Sequence, residues 1–199
     1  MIAHAKKFIF VHINKNGGTS IEKVLRSFSR KDNETFYKHE MMYNIPETDN
    51  FSFINQDNIL NQLKHGIDNY FKFTFVRNPW DRCVSNYFFN KKEYPNSDHA
   101  KMNFEDYLDD LDSHWTTSYN QIDWLLDDSG KNCMDFIGRF ENIQEDFKKV
   151  CITLGIKNYK LPHVNKSSHR NYRHYFNNED MIKVGKFYER DIDYFEYKF

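Results

Sequence analysis

Apolar residues change period twice within the first thirty positions. Phe8-Ile9-Phe10-Val11-His12-Ile13 is a nearly continuous apolar run, and Asn14-Lys15-Asn16-Gly17-Gly18 interrupts it. That pattern predicts a buried strand ending in a tight loop. Beyond the loop, Ile21, Val24, Leu25 and Phe28 recur at i, i+3, i+4 and i+7, one face of a helix, with Thr19 or Ser20 placed to cap it. The same order returns later. Tyr70-Phe71-Lys72-Phe73-Thr74-Phe75-Val76 is rich in aromatic and β-branched residues and predicts a second strand. Asn78-Pro79 then supplies a capping residue and a proline for the first helical position, ahead of an apolar face of Trp80, Val84, Tyr87 and Phe88.

The remaining elements are read in the same way. Residues 29–58 are polar and rich in Asn, and Ile59, Leu60 and Leu63 predict a short helix over 57–64. Phe104, Tyr107, Leu108 and Leu111 predict another helix, and residues 134–140 a third strand. Ile143, Phe147, Val150, Cys151 and Leu154 predict a helix stopped by Gly155, and Met181, Val184, Tyr188 and Ile192 a last one before an aromatic C-terminus. Strands alternating with helices imply βαβ units and a parallel sheet.

Composition narrows the class. The chain has 199 residues, 39% hydrophobic and 18% aromatic, enough for the core of one domain spanning 1–199 and too many rings for a disordered chain. No apolar run approaches the roughly 20 residues that cross a bilayer. The N-terminus has no small-residue cleavage site, so a cytoplasmic location is expected. Three cysteines without a C-x-x-C pair argue against a disulfide framework. A net charge of −1 gives no support to a nucleic-acid partner. The charge is nevertheless segregated: acids dominate residues 93–135, whereas 147–178 hold none and carry Lys148, Lys149, Lys157, Lys160, Lys166, Arg170 and Arg173. Local potential of this kind attracts an anion.

Candidate chemistry lies at the two strand–loop–helix units. Gly17 and Gly18 let backbone amides approach a ligand, the helix start offers unpaired N–H groups, Lys15 adds a cation, and Thr19 and Ser20 add hydroxyls. Together they form a cradle for a phosphate-like group. The order differs from G-x-x-x-x-G-K-[ST], because Lys15 precedes the glycines, which disfavours a nucleotide triphosphatase. In the second unit Arg77 stands at the carboxyl end of its strand, where open α/β sheets bind ligands, and Ser85 follows about two turns into the helix. A guanidinium and a hydroxyl there can share one phosphate, with Arg82 a second cation nearby. The competing reading pairs Arg77 with Asp81.

These segments resemble a known family. HINKNGGTS resembles the 5′-phosphosulfate loop, and FVRNPWDRCVSNY the 3′-phosphate motif, of sulfotransferases that use 3′-phosphoadenosine 5′-phosphosulfate (PAPS). The likeness is greatest to carbohydrate sulfotransferases related to the heparan sulfate 2-O enzymes and their bacterial relatives. DFIGRFENIQEDF, LPHVNKSSHRNY and YERDIDYFEYKF follow in that family's order.

The resemblance implies an α/β, P-loop-like three-layer fold with a central, mainly parallel sheet flanked by helices. It implies that Lys15, Asn16, Gly17, Gly18, Thr19 and Ser20 hold the phosphosulfate, that Arg77 and Ser85 hold the 3′-phosphate, and that Lys166 and Ser167 close over the nucleotide. The implied reaction is in-line displacement at sulfur by a hydroxyl of a carbohydrate, with Lys15 neutralising the leaving oxygen and no metal required. The nine histidines form no ligand motif. The 2-O relatives place a His about twenty residues before the Arg, where this chain reads Asn50-Phe51-Ser52-Phe53. The general base therefore falls among His39, His65, His114, His12 and Glu22. An inactive nucleotide-binding or interaction module on the same fold is the alternative reading, and an unusual P-loop kinase a third.

Overall fold

The computed structural model describes residues 1–3, 6–29, 69–114, 117–127, 129–162 and 169–199. The helix expected over 57–64, with His39, His65, Lys166 and Ser167, lies outside them. Four strands, β1 (Ile2–Ala3), β2 (Phe8–Val11), β3 (Phe71–Val76) and β4 (Phe136–Arg139), form one sheet in the order β1-β2-β3-β4. β1 runs antiparallel to β2, and the other pairings are parallel, with Phe10 opposite Phe73 and Phe75 opposite Gly138. This is the α/β class with the mainly parallel sheet expected above. Of these four strands only β1 was unforeseen, because two residues are too few to show a period.

Seven α-helices are found among the described residues: α1 (Gly18–Ser29), α2 (Pro79–Glu93), α3 (Asp98–Lys101), α4 (Phe104–Asp109), α5 (Ile143–Thr153), α6 (Asn178–Phe187) and α7 (Glu189–Phe195). Strand alternation sends Phe8, Phe10, Phe73 and Phe75 to one face, where they pack with Ile21, Val24 and Leu25 of α1 and Phe147, Val150 and Cys151 of α5. Gly138 is required on that face, since a Cβ there would lie 2.4 Å from the Phe75 ring. Val11, Val76 and Ile137 face the other way, toward Ile13, Ile122, Leu125, Phe195 and Tyr197. Helical segments thus cover both faces, giving three layers. A further cluster joins Trp80, Cys83 and Tyr87 of α2 to Tyr107, Leu108, Val184 and Tyr188.

Local signals set several element ends. The Asn78 side chain accepts from Trp80 N and Asp81 N at 3.1 and 3.4 Å, with Pro79 opening α2. Gly155, at φ +64, follows α5 and donates its N–H to Ile152 O. Three expectations are corrected. α1 begins at Gly18, with Ser20 N and Ile21 N donating to Gly17 O, so Thr19 and Ser20 lie inside its first turn and do not cap it. Leu111 falls in a 3₁₀ turn (Leu111–Ser113) beyond α4. The last helix is two, divided at Tyr188, whose buried hydroxyl donates to Thr117 O at 2.7 Å. That anchor is tertiary, and local periodicity carries no trace of it.

Candidate active site

The loop between β2 and α1 is held from within. Asn16 is buried, and its Nδ2 donates to Phe75 O and to Gln121 Oε1, each at 2.7 Å. Both amide hydrogens therefore go to the protein, and the side chain acts by tethering the loop to β3. Lys15 has φ +70, a left-handed conformation that costs a non-glycine residue roughly 1 kcal/mol and turns its carbonyl toward the next strand end. Gly17 has φ +80, and a Cβ on it would stand 2.7 Å from Ile143 Cδ1. A Cβ on Gly18 would stand 2.0 Å from the His12 ring. The glycines thus let the loop lie flat on the protein. Among the described residues, the N–H groups of Gly17, Gly18 and Thr19 have no hydrogen-bond partner, so the opening of α1 presents three donors. Thr19 is exposed and Ser20 buried.

The corner between β3 and α2 meets this loop. Arg77 Nη1 donates to Lys15 O at 2.9 Å, Nε donates to Asp81 Oδ2 at 2.8 Å, and the guanidinium lies 4.0 Å from the centre of the Phe140 ring. The Asp81 pair and a ligand-binding role are compatible, because these bonds use two of five guanidinium donors. Arg82 serves otherwise. It is fully buried, donating to Asn14 O at 3.3 Å and Tyr119 O at 3.1 Å, so it supports the loop from behind. Ser85 is buried in α2.

Electrostatics single out Lys15. Its Nζ sits 3.5 Å from the centre of the Phe89 ring, and burial, reinforced by the Arg77 charge, lowers its pKa to about 7. An amine poised there gains its proton readily when an anion arrives.

The described base candidates are engaged in the protein. His12 Nδ1 lies 2.9 Å from Glu22 Oε1, and its ring stacks on Phe10 beside Gly18. Burial opposes ionisation of Glu22, but the His12 hydrogen bond and the Arg26 charge outweigh it and lower the pKa. His114 is buried, with Nε2 donating to Tyr107 O at 2.9 Å.

The match to the sulfotransferase family spans residues 1–198. The chain belongs to the sulfotransferase family. It is thus an enzyme of sulfuryl transfer, and the family implies an acceptor with a hydroxyl. An uncharacterized protein of Archaeoglobus fulgidus is 31% identical over 108 residues, covering 53% of this sulfotransferase and 85% of that protein. A solved sulfotransferase from Alicyclobacillus acidocaldarius superposes with a TM-score of 0.43 at 14% identity, covering 96% of this chain and 98% of the other. Among the described residues no helix is long and apolar enough to cross a membrane.

Two positions escaped the sequence reading. Gln121 Oε1 accepts from Arg77 N at 2.9 Å while its Nε2 donates to Arg77 O at 2.9 Å, so one amide pairs with the strand end and with Asn16 together. Asp191, fully buried, accepts from Gln121 N, Gln121 Nε2 and Ile122 N at 2.8, 3.0 and 2.8 Å. Gln121 carries no local signal. Asp191 carries one: a carboxylate sharing a helix face with Tyr188, Ile192 and Phe195 is unusual unless it has partners.

Proposed function

We propose that this sulfotransferase, acting as a single domain over residues 1–199, moves a sulfuryl group from PAPS to a carbohydrate hydroxyl. The observation that carries the reading is the bond from Arg77 to the Lys15 carbonyl, which brings the cations after two adjacent parallel strands to one place. The donor supplies the sulfuryl group and an anionic leaving group. Lys15 and the free N–H groups opening α1 would bind the phosphosulfate, with Gly17, Gly18, Thr19 and Ser20 shaping the cradle and Asn16 holding it. Arg77 and Ser85 would bind the 3′-phosphate, and Lys166 and Ser167 would close over the nucleotide. The fit is chemical: three N–H donors, a lysine and an arginine converge at two strand ends. In the reaction Lys15 offsets charge on the departing oxygen as the acceptor hydroxyl attacks in line.

The test is calorimetry with adenosine 3′,5′-bisphosphate and with ATP, followed by turnover of PAPS with a panel of oligosaccharides. Tight bisphosphate binding with sulfation of a sugar supports the reading. Binding without turnover on any acceptor replaces it by a silent binding module, and ATP preference overturns it.

A further inference from the structure

Away from the residues discussed so far as ligand contacts, the segment from α3 to the 3₁₀ turn gathers His99, Asp110 and His114. One ligand atom from each lies within 4.8 Å of the others, and His99 Nε2 stands 3.1 Å from Asp110 Oδ2. His114 is 1% exposed and its ring stacks on Tyr107 with centroids 3.8 Å apart. Because Nε2 donates to the Tyr107 carbonyl, the proton resides there and Nδ1 carries a lone pair. That Nδ1 is buried and has no hydrogen-bond partner. A bare acceptor inside a protein is unfavourable unless something fills it.

We propose that His99, Asp110 and His114 bind a divalent transition metal, zinc in the first instance, through Nε2, a carboxylate oxygen and Nδ1. Two imidazoles and a carboxylate suit a borderline-soft ion and disfavour magnesium. The outer contacts match the chemistry. A backbone carbonyl holds the second N–H of His114, as a metal-binding imidazole requires, and Ser113 Oγ donates to Asp110 Oδ2 at 2.5 Å while accepting from His99 Nε2 at 2.9 Å, a bond that the metal would replace. Ligand atoms around tetrahedral zinc lie about 3.3 Å apart. His99 and Asp110 have side chains 25% and 41% exposed, so they can rotate onto the fixed His114, leaving the fourth position to water. The site shares no residue with the Lys15–Arg77 cleft, and the proposal stands apart from the PAPS reading. Its effect is structural: it would lock the segment carrying Tyr107, whose hydroxyl accepts from Asn86 of α2 at 2.8 Å.

Untagged full-length protein, stripped with chelator and dialysed, is titrated with Co²⁺ by visible absorption, then with Zn²⁺ and Mg²⁺ by calorimetry and thermal melts. The expected result is one equivalent of Co²⁺ with intensified tetrahedral bands, displacement by Zn²⁺, a raised Tm with Zn²⁺ and none with Mg²⁺. His99→Ala and Asp110→Ala should each weaken Zn²⁺ binding at least tenfold while circular dichroism stays native. His114→Ala should abolish binding, and if it fails to fold the two exposed-side variants decide. No stoichiometric binding by the parent protein, unchanged affinity in both variants, or Mg²⁺ binding as tight as Zn²⁺ overturns the proposal.

Discussion

Arg77 Nη1 donates to the main-chain oxygen of Lys15 at 2.9 Å, although the two residues are 62 positions apart. Parallel pairing of β2 with β3 makes this possible, since both strands then end on the same side of the sheet. The left-handed turn at Lys15 aims the carbonyl, while Asp81 accepts from the guanidinium and the Phe140 ring packs against it.

Arg77→Ala should weaken adenosine 3′,5′-bisphosphate binding at least tenfold, or about 1.4 kcal/mol, because a phosphate loses a charge-assisted partner. Arg77→Lys should not restore it, since a compact ammonium cannot reproduce the guanidinium's fixed fork to Asp81 and Lys15 O together with its contact with the Phe140 ring. Calorimetry checks both, and unchanged affinity in the alanine variant would refute the assignment.

Lys15→Ala should depress kcat more than it weakens donor binding, read from steady-state kinetics with PAPS. Binding should also depend on pH. The free amine has a pKa of about 7, so above that value an anion must draw a proton onto Lys15. Bisphosphate affinity should fall as pH rises from 7 to 8, with net proton uptake visible as different calorimetric heats in two buffers.

The same shift predicts a stability effect of definite sign. An unfolded lysine titrates near 10.4, so between about 7 and 10 the unfolded chain binds a proton that the folded chain does not. Lys15 is therefore most unfavourable below pH 7, and its cost declines as pH rises through that window. Lys15→Met should stabilise the fold by about 1 kcal/mol at pH 6 and by less at pH 9, after discounting for its partial exposure and the Phe89 contact. Urea unfolding at the two pH values is the measurement.

Gly18→Ala should cost about 2 kcal/mol or more, because His12, stacked on Phe10 and paired with Glu22, has little room to retreat. Gly155→Ala supplies the contrast. It has φ +64 but nothing within 4 Å of a new Cβ, so only backbone strain of about 1 kcal/mol is expected. Equal losses in thermal melts would show that crowding at Gly18 is relieved.

Asp191→Ala should destabilise the protein by about 3 kcal/mol, since it leaves buried donors on Gln121 and Ile122 unpaired. Asp191→Asn should recover only part, because its NH₂ would face an N–H. Bisphosphate affinity should fall in both, through loosening of Gln121 against Arg77 and Asn16. Wild-type affinity in a destabilised Asp191→Ala would separate the network from the cleft.

What the amino-acid order determined alone is local. Apolar runs beside helical spacings were enough for β2, β3, β4 and the helices that follow them, Asn78-Pro79 for the start of α2, and Gly155 for the end of α5. The lysine loop and the Arg-Asn-Pro corner were legible as motifs, because their chemistry is written in consecutive residues. The tertiary structure decided the rest. Parallel pairing joined Lys15 to Arg77, burial lowered the Lys15 pKa, and Arg82 turned inward beneath the loop while Arg77 stayed at the junction. Gln121 and Asp191 became its scaffold from 44 positions beyond Arg77 and 70 positions beyond Gln121. The division is physical: periodicity and capping act over a few residues, whereas desolvation and hydrogen-bond satisfaction depend on which distant groups the sheet brings into contact.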